Sequence, residues 1–158
     1  MSYTLDVAPR KVSSSDSQST LTNALVQLSF EVQRRLANVA AEYDLSLAQL
    51  RLLGVLRDHQ PGIQRLADHL GLEKSSVSGL VDRAEARGLV RRISNADDGR
   101  SVHVTLSRRG RSLAKQGERE VEEAMSDLVT HLTDADRDRL ADLLTRAFSD
   151  PDRPDGLT

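Results

Sequence analysis

The chain contains no cysteine and no tryptophan. It can therefore build no disulfide framework, no thiolate metal site and no thiol redox sensor. Tyr3, Phe30, Tyr43 and Phe148 are its only aromatic residues, too few for the stacking platform that reads single-stranded nucleic acid. No apolar run approaches the roughly 20 residues of a membrane span, and the N-terminus lacks the apolar core of a signal peptide. These absences predict a cytoplasmic protein with no membrane role, and 158 residues suffice to bury a core without covalent staples.

Charge of one sign is also nearly absent on average, the formal net charge being −2. The average hides a division. From Glu73 to Arg111 nine Lys and Arg stand against five acids, a local net charge of +4. A basic stretch within a mildly acidic chain suits a protein that meets phosphates with one part and solvent with the rest.

Most of what is present is helical in period. Residues 1–20 are Ser-rich and too polar to bury anything, and 150–158 contain two Pro and a Gly; both are expected to be flexible, an N-terminal arm and a C-terminal tail. Leu21, Leu25, Leu28, Val32, Leu36 and Val39 line one face of a long first helix. Ser46 and Gln49 form a capping box that opens a second helix, closed by Pro61-Gly62. Short helices over about 63–70 and 74–87 end at Gly71 and Gly88. The period then falls to two: Leu89–Ile93 and Ser101–Leu106 read as strands joined by the polar Ser94–Gly99 tip. A long helix carrying Leu113, Val121, Met125, Leu128 and Leu132 follows. A last helix from Thr133 is expected to bury Leu140, Leu143, Leu144 and Phe148. The predicted fold is mainly α with a small β-hairpin wing, an α+β arrangement within one domain over 21–149. Its winged helix-turn-helix spans about 46–107. The terminal helices, about 21–41 and 108–149, carry more apolar stripe than a small central domain can cover, which predicts a homodimer.

Leu66 through Val81 has the spacing of a helix-turn-helix. Ala67 is small where two helices cross, Gly71 can take the left-handed turn conformation, and Leu66, Leu70, Val77 and Leu80 fill the space between helices. The second helix of such a motif lies in the major groove of duplex DNA. With Val77, Leu80, Val81 and Ala84 facing inward, its outward positions are Lys74, Ser75, Ser76, Ser78, Gly79, Asp82 and Arg83. Lys74 and the hydroxyls can bond phosphates or bases, and the helix N-terminus attracts a phosphate. A purely solvated polar face explains the serines equally well. It explains Gly79 poorly, because a mid-helix Gly costs about 1 kcal/mol relative to Ala and points to close approach by another group.

From Leu21 to Phe148 the chain resembles the MarR (multiple-antibiotic-resistance regulator) family of transcriptional regulators. The stretch Leu80–Arg92, then Asp98-Gly99-Arg100 and Val104–Gly110, carries the likeness. The resemblance implies a homodimer on a pseudo-palindromic operator, with Arg100 at the wing tip entering the minor groove and Asp98 holding it. A narrow A·T minor groove concentrates negative potential and favours such an Arg. Arg83 aligns with a family Arg that contacts DNA or pairs with wing acids. Many members carry Arg where this chain has Gly79, so base readout from that position is absent. The resemblance further implies a small lipophilic or phenolic effector bound between the dimerisation helices and the winged domain, commonly relieving repression. The missing cysteine argues against the peroxide-sensing branch.

Three rival classes remain. An enzyme would need a site, and His59, His69, His103 and His131 fall in no triad, phosphate loop or metal signature. A metal-responsive regulator would need ligands closer in sequence than these histidines. A winged-helix protein-interaction module would favour an apolar outward face on 74–87, which is polar and partly cationic. No cofactor and no metal are expected.

Overall fold

The computed structural model describes residues 14–94 and 102–149. In chain order these form α1 (Ser14–Glu42), α2 (Leu47–Asp58), α3 (Ile63–Leu70), α4 (Lys74–Ala86), β1 (Val90–Ser94), β2 (Val102–Leu106), α5 (Arg108–Leu128) and α6 (Asp134–Phe148). The chain divides into two compact units, Met1–Gln33 and Arg34–Thr158, with the boundary inside α1. The first helix begins at Ser14, so the residues 14–20 assigned to a flexible arm are helical. Polarity bars these residues from a core but not from a helix, since each residue added to an existing helix gains one backbone hydrogen bond. The remainder of the expected arm, the tail at 150–158 and the wing tip lie outside the described residues.

Local chemistry sets the element ends. Gln49 N–H donates to Ser46 Oγ at 3.2 Å and Ser46 N–H to Gln49 Oε1 at 3.0 Å, the capping box that starts α2. Thr133 caps α6 through its hydroxyl, which accepts from Asp136 N–H at 3.2 Å. Arg137 then donates to the carbonyls of Val129 and Thr130 at 3.1 and 3.2 Å, tying α6 to the end of α5.

The core lies where α2, α3, α4 and the strands converge. Leu52, Leu53, Leu66, Val77, Val81, Leu89, Val104 and Leu106 are fully buried there. β1 and β2 are antiparallel, with Val90 opposite Leu106 and Ser94 opposite Val102. Pro61 and Gly62, in the turn after α2, extend this hairpin: Val104 N–H donates to Pro61 O at 3.0 Å, and His103 Nδ1 lies 2.7 Å from Gln60 O. The base of the wing is thus sewn to the same turn that launches α3.

α6 corrects one expectation. Its apolar positions are present, yet no α6 residue is buried, and Leu143 and Phe148 are exposed. In the other unit Leu21, Leu25, Val26 and Phe30 are exposed as well. Among the described residues nothing covers these positions. Among the described residues no helix is long and apolar enough to cross a membrane.

Candidate nucleic-acid interface

α3 and α4 form the helix-turn-helix. Gly71 ends α3 at φ 65°, ψ 38°, a left-handed conformation that costs a glycine little. Leu72 N–H then closes back onto Ala67 O at 3.0 Å. Val77, Leu80, Val81 and Ala84 face the core, which turns Lys74, Ser75, Ser76 and Arg83 to solvent and leaves Ser78 half-buried. Glu73 stands at the N-cap without a side-chain hydrogen bond. The first amides of α4 are therefore not claimed by a capping side chain, and a phosphate can take them.

The approach that Gly79 signals comes from within the chain. A Cβ at position 79 would stand 3.3 Å from a guanidinium nitrogen of Arg83. The bare helix surface at Gly79 lets Arg83, one turn later, lie back along α4. Arg83 thus sits over the position where a longer side chain would otherwise reach outward.

The wing is locked to this helix by a residue the sequence reading passed over. Arg92 on β1 meets Asp82 at 2.6 Å and Glu85 at 2.5 Å, both on α4. Its backbone N–H also donates to Glu85 Oε1 at 3.1 Å. The hydrogen bond that Arg92 donates to Asp82 is the main influence raising the Arg92 pKa, with burial opposing it. Two acids spaced three apart on the recognition helix, followed by an Arg pair just past Gly88, are the signal that could have marked this clamp.

Other cations of the basic stretch are also engaged internally. Arg87 donates to Asp44 O at 2.6 Å, at the end of α1. Arg111 donates to Leu106 O at 2.9 Å and Arg109 to Arg87 O at 3.3 Å. Lys74, Arg83, Arg91 and Arg108 are exposed, and among the described residues none of them forms an ion pair. Asp98 and Arg100 lie outside the described residues. β1 and β2 lead to them on either side, from Ser94 and Val102.

Away from this face a cavity of about 400 Å³ opens between the C-terminal half of α1, α2 and α5. Leu36, Leu50, Leu53 and Val121 give it apolar walls, and Arg51, Arg57, Glu118 and Glu122 give it charges of both signs. Its volume falls in the range of about 300–1,000 Å³ typical of small-molecule sites. Among the described residues no cluster of three or more His, Asp or Glu could hold a metal ion.

The model of the MarR family matches residues 43–101. An HTH-type transcriptional repressor of Mycobacterium bovis is 30% identical over 108 residues, covering 67% of this chain and 77% of that protein. The homoprotocatechuate degradative operon repressor of Escherichia coli is 25% identical over 126 residues, covering 79% and 85%. Among solved structures, wild-type MarR of E. coli in its apo form superposes with a TM-score of 0.71 at 23% identity, covering 81% of this chain and 96% of that one. The Staphylococcus aureus MepR–DNA complex gives 0.68 at 23% identity, again covering 81% and 96%.

Proposed function

Because the chain belongs to the MarR family and is thereby a DNA-binding transcriptional regulator rather than an enzyme, we propose that it works as a homodimeric repressor. Each subunit sets α4 in the major groove of one half of a pseudo-palindromic operator. The observation that carries this reading is the outward face of α4: Lys74, Ser75, Ser76 and Arg83 exposed, at a helix N-terminus whose amides no side chain caps. Phosphates positioned by Lys74 and by the free amides would fix the register. Ser75, Ser76 and Ser78 would meet base edges or phosphates.

In this reading Arg100 enters the flanking minor groove and Asp98 orients it, as the family resemblance implies. The exposed apolar residues of α1 and α6 are the surface for the second copy, and a cytoplasmic location follows from a chromosomal target. A small lipophilic or phenolic anion, bound in the cavity between α1, α2 and α5, releases the operator. The apolar walls support the lipophilic part of that class, and Arg51 in the lining would meet its charge.

Selection of bound fragments from the source genome, followed by sequencing, tests the reading. The expected result is a pseudo-palindrome bound by two chains per duplex. Affinity should fall steeply between low and moderate salt, since several cations displace condensed counterions. A flat salt response, or a site without two-fold symmetry, would sink it.

A further inference from the structure

The end of α1 is completed by a residue of α4. Asp44 follows α1 in a left-handed conformation at φ 53°. The reversal is closed by Asp44 N–H on Ala41 O at 3.1 Å and Leu45 N–H on Ala40 O at 2.9 Å. Such a closure serves carbonyls of the helix's last turn but not those after it. Tyr43 O and Asp44 O come after it, and both accept from Arg87, the first from NH2 at 3.4 Å and the second from NH1 at 2.6 Å. Arg87 is the C-cap of α4, and its own carbonyl accepts from Arg109 NH1 on α5 at 3.3 Å. One residue at the end of the recognition helix thus meets both α1 and α5.

We propose that Arg87 is a positioning residue: it fixes the recognition helix to the end of α1 and so sets the separation and angle of the two α4 helices in the dimer. The inference rests on the homodimer reading above and names a residue that carries its geometry. α4 packs on α2, α3 and β1, all within the winged helix-turn-helix, and this packing orders that lobe internally. It leaves open how the lobe stands on α1, the helix whose exposed apolar residues that reading gives to the second copy. A single hydrogen bond would let the lobe swivel. A planar guanidinium on two successive carbonyls fixes direction as well as distance, and its charge stands at the negative end of the α1 dipole, where a cation is favoured. Both lobes engage a two-fold site at once only if their separation matches the half-site spacing, about 34–36 Å for one turn of duplex. That match governs the effective concentration of the second lobe once the first has bound. Loss of the Arg87 tie therefore weakens the second engagement and spares the first.

The test is titration of the full-length chain on three kinds of duplex: the operator recovered by fragment selection, a single half-site, and operators with one base pair added or removed between the half-sites. The parent should favour the operator over the half-site by about a hundredfold or more. Arg87→Gln, still a dimer by sedimentation, should bind the half-site as the parent does and lose about tenfold of the operator advantage. It should also tolerate the altered spacings better than the parent, a change that lowered stability alone does not produce. Arg87→Lys keeps the charge but reaches one carbonyl, and should fall between the two; if the glutamine variant does not fold, the lysine variant carries the test. Equal losses on operator and half-site, or a spacing preference as sharp as the parent's, overturn the assignment and leave Arg87 a cap of α1. A parent that binds the operator no better than the half-site removes the homodimer reading, and the Arg87 assignment with it.

Discussion

Gly110, in the first turn of α5, lies so close under Leu89 that a Cβ at position 110 would stand 1.9 Å from the Leu89 carbonyl oxygen. The approach is enforced by Ser107, which caps α5 by accepting from Gly110 N–H at 2.9 Å. The same hydroxyl donates to Gly88 O at 2.7 Å, and Ser107 N–H donates to Leu89 O at 2.9 Å. Backbone cannot yield as a side-chain tip can. Gly110→Ala is therefore expected to destabilise by about 3 kcal/mol or more, seen as a thermal midpoint lowered by several degrees. Gly54→Ala provides the contrast: with nothing within 4 Å of the added Cβ, it should stabilise by about 0.5–1 kcal/mol. Equal midpoints for the two variants would refute the packing argument.

Arg92 joins the wing to the recognition helix through Asp82 and Glu85. Arg92→Lys keeps the charge but cannot fork across Asp82 and Glu85. Because the partners are partly exposed, stability should drop by less than about 1 kcal/mol. Operator affinity should fall by roughly fivefold to tenfold, about 1–1.4 kcal/mol, as the wing loses its setting relative to α4. Fluorescence anisotropy beside a melting curve separates the two quantities. Unaltered affinity would make the clamp a matter of stability alone.

The exposed apolar stripes predict a second copy. Phe30 is 67% and Phe148 65% exposed, so an Asp at either position has no core to disrupt within one chain. Phe30→Asp and Phe148→Asp should shift sedimentation toward the monomer with helical content retained, and Leu140→Asp should dissociate or unfold the chain. A parent protein that sediments as a monomer at micromolar concentration would remove the dimer and the palindromic operator together.

Arg100 and Lys74 are expected to fail differently. Arg100→Ala should cost roughly 1–3 kcal/mol per site and relax the preference for A·T pairs flanking the major-groove contacts. Asp98→Ala should give a smaller loss of the same kind. Lys74→Ala should weaken all duplexes about equally if it touches only phosphate. Titrating the three variants on operator and random duplexes distinguishes these outcomes, and an Arg100→Ala protein with parental operator affinity would leave the wing a structural appendage.

Hydrogen bonding from Arg57 holds the Asp58 carboxyl below its ordinary value of 3.8, against a smaller opposing effect of desolvation. With the folded value depressed, the pair supports the fold above the unfolded carboxyl's titration. That support is lost as pH falls through the lower, folded value. Carbon-detected NMR of the Asp58 carboxyl should give a midpoint below 3.8 in the parent and one returned toward it in Arg57→Gln. Identical midpoints would show that the observed pairing does not persist in solution.

Much of the fold was legible because its instructions are local. The capping box at Ser46 and Gln49, the left-handed Gly71, the Thr133 cap and the inward set Val77, Leu80, Val81 and Ala84 each depend on residues within a turn or two of one another. Period and spacing therefore located α3, α4 and the hairpin, and exposed Lys74, Ser75, Ser76 and Arg83 as the outward face. The tertiary structure decided which charges and glycines serve that face. Arg87 donates to Asp44 O, 43 positions away, and Arg92 pairs with acids across the α4–β1 turn, partners that the basic reading of the stretch does not reveal. Gly110 is demanded by Leu89, a need that only the packed chain creates. The cavity and the Arg57–Glu118 tie join α2 to α5. Their partners are distant in sequence, and such pairings are chosen by how helices pack, since a residue's hydrogen-bonding capacity says nothing of which distant group will arrive to fill it.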